Sequence, residues 1–183
     1  MSQDRNPFAR AADRLAREDL RGRNRLPAFA LLDNIRSVGN VGSMFRTADA
    51  VNLGGLYLCG MTGTPPRPDM EKTALGATET VPWDYWRRPA EAVAELQSKG
   101  VRVVALEQAP DAVPFDGYDY AFPVCFVVGH EVDGVSPAVL DRADAAVEIS
   151  MAGAKKSLNV AVGFGLMAFE IRRQWLRGRE GGS

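Results

Sequence analysis

Apolar positions in this chain fall into two kinds of run, which alternate along most of its length. Short, nearly unbroken apolar stretches occur at 27–33 (PAFALLD), 55–60 (GLYLCG), 101–107 (VRVVALE), 123–129 (PVCFVVG) and 145–150 (AAVEIS), and these read as strands. Stretches with helical spacing cover 40–52, 69–76, 89–100, 136–142 and 157–177, with a further Arg-rich one at 7–21. The helix at 89–100 is the best marked. Pro89 opens it, Ala92, Val93 and Leu96 share a face, and Gly100 stops it. Proline- and glycine-rich residues at 61–69 and the stretch 111–120 read as loops. Strands that are apolar on both faces need cover on both. The pattern therefore predicts an α/β fold, a mostly parallel sheet with helices on both faces. Neither a repeat nor a linker interrupts it. Residues 26–183 read as one domain, preceded by an Arg-rich helical extension at 1–25.

Ligands of such sheets sit at the C-terminal ends of the strands. Three polar segments leave those ends, at 34–47, 129–137 and 150–159. In the first, Val41, Met44, Phe45, Ala48 and Val51 cluster on one helical face and Arg46 falls nearly opposite. Asn40 is a suitable N-cap, and Gly42 leaves space beside it. Free amides, the helix dipole and an arginine suit a phosphate. The competing reading is an ordinary capped helix whose surface arginine is paired with an acid.

In the second segment, Glu131 and Asp133 share a tight turn, with Gly134 expected in a left-handed conformation and Ser136-Pro137 opening a short helix. A carboxylate there can take a proton or hold Arg46. His130, the single histidine, is more simply a turn residue than a catalyst. In the third, Ser157 is a candidate cap for the last helix and Asn159 lies in its first turn, after a loop carrying Lys155 and Lys156.

Composition narrows the chemistry. The chain has 183 residues, 46% hydrophobic and 25% charged, enough for one well-packed core. Its net charge is −1, unlike a typical nucleic-acid binder. The distribution differs from the sum: residues 1–25 carry seven Arg against four acids, and 172–183 carry four Arg against one Glu, each end about +3. Basic ends on an acidic body can hold a polyanion if they lie on one side. Cys59 and Cys125 sit inside apolar strands and read as buried thiols of a reducing compartment, and with one histidine and no C-x-x-C no metal site is expected. Neither G-x-G-x-x-G after a strand nor G-x-x-x-x-G-K-[ST] occurs, against dinucleotide and P-loop sites. No cleavable signal is visible, and the longest apolar run, at 158–169, is too short to span a bilayer, so a cytoplasmic protein away from membranes is expected.

Read in order, the three segments resemble the three motifs of the SpoU (TrmH-type) RNA ribose methyltransferases of the SPOUT superfamily. The first resembles Asn40…Arg46-Thr47-Ala48, the second Gly129-x-Glu131-x-x-Gly134, and the third Ile149-x-Met151…Ser157-Leu158-Asn159-Val160-Ala161-Val162. The resemblance covers residues 26 to about 175. It implies a C-terminal trefoil knot cradling S-adenosylmethionine, no metal, and a homodimer whose site is completed across the interface. Cofactor contacts would fall on Leu106, Glu107, Gly129, Ile149, Met151, Ser157 and Leu158. Asn40, Arg46, Glu131, Ser157 and Asn159 would line the catalytic centre. Gly163 departs from the pattern, where alanine is more usual, at a place expected to touch no chemistry.

The reaction so implied methylates a ribose 2′-hydroxyl in structured RNA and leaves S-adenosylhomocysteine. Transfer RNA is favoured over ribosomal RNA, because no recognisable extra RNA-binding domain precedes the catalytic one. The family account often makes the motif-one arginine the base, although a guanidinium holds its proton far above neutral pH. The preferred expectation is that Arg46 grips the phosphate beside the target ribose and stabilises the developing alkoxide. Glu131 would orient Arg46, and Ser157 and Asn159 would position the hydroxyl. Three alternatives stand beside it: an RNA-binding protein that keeps the fold without turnover, a SPOUT enzyme acting on a base, and a small-molecule nucleotide enzyme.

Overall fold

A computed structural model describes residues 25–180. The helix expected at 7–21 lies outside them. Seven strands form one sheet: β1 (Leu26–Asp33), β2 (Leu53–Cys59), β3 (Trp83–Trp86), β4 (Arg102–Leu106), β5 (Val113–Pro114), β6 (Val124–Val128) and β7 (Ala145–Glu148). Their order is β3-β2-β1-β6-β4-β7-β5, and every neighbouring pair is parallel. The helices are α1 (Val38–Ala50), α2 (Pro68–Ala74), α3 (Ala77–Thr80), α4 (Pro89–Ser98), α5 (Pro137–Leu140) and α6 (Val160–Glu180).

The two-residue period of a strand explains the layers. Along β1, Ala28, Ala30 and Leu32 face one core with Val41, Met44 and Phe45 of α1, Met70 of α2, and Phe164, Met167 and Ile171 of α6. Phe29 and Leu31 face the other, with Ala92, Val93 and Leu96 of α4 and Val139 of α5. The expected parallel sheet with helices on both faces is the architecture found. Among the described residues, no helix is long and apolar enough to cross a membrane.

Two strands escaped the hydrophobic pattern. β3 reads Trp-Asp-Tyr-Trp, and its aspartate, Asp84, is buried, accepting from Tyr85 N at 2.8 Å and Trp86 Nε1 at 3.1 Å. β5 is two exposed residues within the expected 111–120 loop. Two helix starts also move. α1 begins at Val38 because Ser37 caps it, so Asn40 is a first-turn residue and not the cap. α6 begins at Val160. Its cap is Asn159, whose Oδ1 accepts from Ala161 N at 2.8 Å, and not Ser157.

Candidate active site

Because all strands run one way, the loops after β1, β4, β6 and β7 gather at one edge. The order reverses between β1 and β6, the topological switch point where a crevice opens. Beside it, on the β6 and β4 side, lies a cavity of about 320 Å³, lined by the ends of β4 and β6, the turn at 130–134 and the segment from Glu148 to Gly163. All seven residues expected to touch the cofactor line it: Leu106, Glu107, Gly129, Ile149, Met151, Ser157 and Leu158.

Three carboxylates hold the walls. Glu131 Oε1 accepts from Ser37 N at 2.9 Å and Asn40 Nδ2 at 3.0 Å, and its Oε2 accepts from Arg36 N at 2.9 Å. Glu107 Oε2 accepts from Val135 N at 2.8 Å. Asp33, fully buried at the end of β1, accepts from Ser136 N at 2.7 Å and from Asn34 Nδ2 at 2.7 Å. These bonds hold the 129–136 segment from both sides. The turn itself closes by paired backbone bonds between His130 and Gly134, 2.9 Å each way. His130 Nδ1 accepts from Val132 N and Asp133 N at 3.2 Å, which makes the ring a turn-former.

Close backbone approach explains the motif glycines. A β carbon at Gly129 would lie 2.1 Å from Gly134 C and 2.2 Å from Val135 N. Gly134 has φ +73°, and a β carbon there would lie 2.2 Å from Glu107 Oε2. Gly42 serves packing as well. Its β carbon would meet Thr73 Oγ1 at 2.1 Å and Met70 O at 2.4 Å, so α2 fills the space expected to admit a phosphate. The amides before α1 are spent too, on Glu131. The anion at that helix end is the protein's own carboxylate.

Partial burial pushes the Glu131 carboxyl up, but donation from Arg36 N, Ser37 N and the Asn40 amide outweighs it and holds the group below its ordinary value. Asn159 Nδ2 donates to Asn40 Oδ1 at 3.3 Å, completing a chain Asn159–Asn40–Glu131 at the cavity mouth. Ser157 is exposed on the cavity wall. Of the five expected catalytic residues these four come together.

Arg46 stands apart on the solvent face of α1, six residues or about 9 Å along the axis from Asn40. Its guanidinium has no partner among the described residues, so the expected Glu131–Arg46 contact is replaced by Glu131's bonds to the α1 entry. Gly163 lines the cavity, and a β carbon there would lie 3.3 Å from Leu106 Cδ2. Asp33 and Ser37 were missed by sequence reasoning. The signal for Asp33 was an acid closing an otherwise apolar strand.

Among the described residues no group of three or more His, Cys, Asp or Glu side chains is placed to hold a metal ion. Burial pushes the thiols of Cys59 and Cys125 well up, which leaves both unreactive.

Known proteins are similar to this chain in sequence and fold. The chain is 33% identical over 142 residues to the tRNA (guanosine(18)-2′-O)-methyltransferase of Aquifex aeolicus, covering 78% of this chain and 67% of that protein. It is 33% identical over 150 residues to the 23S rRNA (guanosine-2′-O-)-methyltransferase RlmB of Ralstonia nicotianae, covering 81% and 59%. The crystal structure of the SpoU methyltransferase AviRb from Streptomyces viridochromogenes in complex with the cofactor AdoMet superposes with a TM-score of 0.75 at 26% identity, covering 81% of this chain and 57% of that one. The chain thus spans about two thirds or less of each of these proteins. The model of the SpoU rRNA Methylase family matches residues 27–169, a stretch holding all three motifs and the whole cavity, and the chain belongs to that family.

Proposed function

We propose that this protein transfers a methyl group from S-adenosylmethionine to a ribose 2′-hydroxyl of transfer or ribosomal RNA, with transfer RNA favoured. The observation that carries this is the Asn159–Asn40–Glu131 chain at the mouth of a cavity built from the third motif and the β4 and β6 ends. The cavity suits the cofactor in size and chemistry. Leu106, Ile149 and Leu158 offer apolar walls for an adenosine, and Glu107, Glu131, Asp133 and Glu148 place negative charge around a cationic ligand. Gly129 and Gly134 line it, and their lack of side chains lets the 130–134 turn fold tightly against the end of β6 and Glu107.

When bound, S-adenosylmethionine supplies a methyl group already activated by a positively charged sulfur. The protein's work is then positioning. Asn40 is oriented by Glu131 and Asn159, and with the free Ser157 hydroxyl it holds the 2′-hydroxyl in line. Glu131, kept ionised by three donors, organises this group and is a poor proton acceptor. The sulfur–methyl bond breaks as the oxygen–methyl bond forms, the hydroxyl proton leaves to water, and Arg46, about 9 Å along α1, meets the adjoining phosphate and favours the negative charge that builds on the 2′-oxygen.

The active form is proposed as a homodimer. α6 buries Phe164, Met167, Ala168 and Ile171 on one side, while Val162, Leu166, Phe169 and Leu176 stand exposed on the other. A helix apolar on both sides needs a second cover. This stripe runs on from Leu158 at the cavity, so a second copy seated there would complete the site. The trefoil knot belongs to the same reading, supported by the seating of β6 between β1 and β4. So do the Arg-rich extension at 1–25 before the catalytic domain and a cytoplasmic location, the latter supported by two free buried thiols.

The test is transfer of labelled methyl into size-separated, undermodified RNA, comparing wild type with Asn159→Ala. Label recovered as 2′-O-methylribose from one RNA class, and lost in the variant, is expected. Label on a base would move the assignment to base methylation. Cofactor binding without label in any RNA would favour an RNA-binding protein that lacks turnover.

A further inference from the structure

The C-terminal edge of the sheet is divided by charge. Loops after β6 and β4 carry Glu131, Asp133, Glu107 and Asp111, and the segment after β7 carries Lys155 and Lys156. On the other side of β1 the balance inverts. Residues 34–37, 60–67 and 87–88, which leave β1, β2 and β3, contain Arg36, Arg67, Arg87 and Arg88 and no acid. Arg88 is paired with Glu91 at 2.5 Å. The Arg36, Arg67 and Arg87 side chains are exposed and form no hydrogen bond or ion pair among the described residues, although Arg67 lies within electrostatic reach of the exposed Asp69. Asn40 lies on the boundary between the halves.

These three loops are braced against each other. Met61 N donates to Asn34 Oδ1 at 3.0 Å, tying the β2 exit to the β1 exit. Gly60 N donates to Trp86 O at 2.9 Å and Tyr85 Oη donates to Gly60 O at 2.9 Å, tying it to β3. A β carbon at Gly63 would lie 3.4 Å from Val38 Cγ2 and 3.5 Å from an Arg67 guanidinium nitrogen, so Arg67 reaches back toward the first residue of α1. Adjacent strands are about 4.8 Å apart, so the path from β1 to β3 covers about 10 Å. Met61, 62% exposed, lies in the same β2 exit segment as Arg67.

We infer that Arg36, Arg67 and Arg87 form a track that takes the phosphates of the RNA strand leaving the methylated nucleotide, over the β1–β2–β3 half of the edge. The inference rests on the methyltransferase reading above and adds the direction in which the RNA runs. The acidic half suits a cationic cofactor and repels phosphate. Polyanion therefore crosses Asn40 toward β3, not over the cavity. Unpaired arginines on a braced surface meet phosphate without first breaking an ion pair.

The experiment measures binding of bulk unmodified transfer RNA against salt, for wild type, Arg67→Gln/Arg87→Gln, Arg67→Lys/Arg87→Lys and Arg142→Gln. Arg142 precedes β7, next to the far edge strand of the sheet, and serves as control. Each lost phosphate contact flattens the log–log salt slope by about 0.7 to 0.9. The Gln pair should flatten it by roughly 1.4 to 1.8 and weaken binding several-fold or more at physiological salt. The Lys pair should keep most of the slope, Arg142→Gln all of it, and cofactor affinity should be unchanged throughout. An unchanged slope for the Gln pair, in a protein whose wild type methylates RNA, overturns the track alone. A wild type that binds no RNA overturns both the track and the reading beneath it.

Discussion

Asn159 and Asn40, 119 positions apart, are joined by a 3.3 Å hydrogen bond between their side-chain amides. The bond brings the start of α6 onto the first turn of α1. Each amide has a second task, since Asn159 Oδ1 caps α6 and Asn40 Nδ2 holds Glu131. The two tasks of Asn159 separate by substitution. Asn159→Asp keeps an oxygen for Ala161 N but loses the donor to Asn40 and sets a carboxylate near Glu131. It should melt within a few degrees of wild type and lose about tenfold or more of methyl transfer. Asn159→Ala should lose the activity and also about 1 kcal/mol of stability. Chemical denaturation and single-turnover transfer check both. Full transfer by the Asp variant would remove the amide pair from the site.

Glu131 predicts a pH dependence. Its folded value lies below the ordinary 4.5 because three donors favour the ionised form over the penalty of partial burial. A depressed carboxyl contributes stability that is complete above the unfolded value and is lost as pH falls through the folded one. Glu131→Gln should therefore be less stable than wild type at pH 7, with the gap closing as pH drops below about 4.5. Urea midpoints at pH 7 and near pH 3 measure it. A gap that stays constant would mean the bonds do not depend on the charge.

Two glycines should respond in opposite ways to alanine. At Gly129 the added carbon meets backbone at 2.1 to 2.3 Å, which has nowhere to move. Gly129→Ala should cost roughly 2–4 kcal/mol and abolish cofactor binding. At Gly163 the nearest atom is Leu106 Cδ2 at 3.3 Å, the end of a side chain that can give. Gly163→Ala should stabilise α6 by about 0.5–1 kcal/mol and narrow the cavity, changing KM for S-adenosylmethionine more than kcat. Thermal melts with cofactor titration separate the pair.

The outer stripe of α6 predicts assembly. Leu166→Glu with Phe169→Glu places charge on positions that stand exposed while Phe164 on the same helix is buried. Wild type should sediment as a dimer and the double variant as a monomer, folded but with methyl transfer lost. A monomeric wild type with full activity would sink the dimer.

The layers were legible because strands covered on both faces show unbroken apolar runs, as at 123–129 and 101–107. β3 was not legible, because four residues with a buried aspartate carry no such run. Its place is set by pairing with β2, from Leu56–Trp83 to Cys59–Trp86, which no local pattern shows. The motif segments were legible through their order and residue types, and Asn40, Glu131 and Asn159 do meet, with Ser157 on the cavity wall. Their bonds were not. Ser37 displaced Asn40 as cap, Asn159 displaced Ser157, and α2 closed the space beside Gly42.

What the sequence alone determined was local: period, apolar runs, turn glycines and the family's motif residues, each set by neighbours a few positions away. What only tertiary structure decided was pairing over long separations. A carboxylate such as Glu131 can satisfy its oxygens with an arginine or with backbone amides. The choice went to Arg36 N and Ser37 N because β6 lies beside β1, which brings the 130–134 turn to the entry of α1. That left Arg46 facing solvent, and it left Arg36, Arg67 and Arg87 together on one edge, where strands far apart in sequence end side by side.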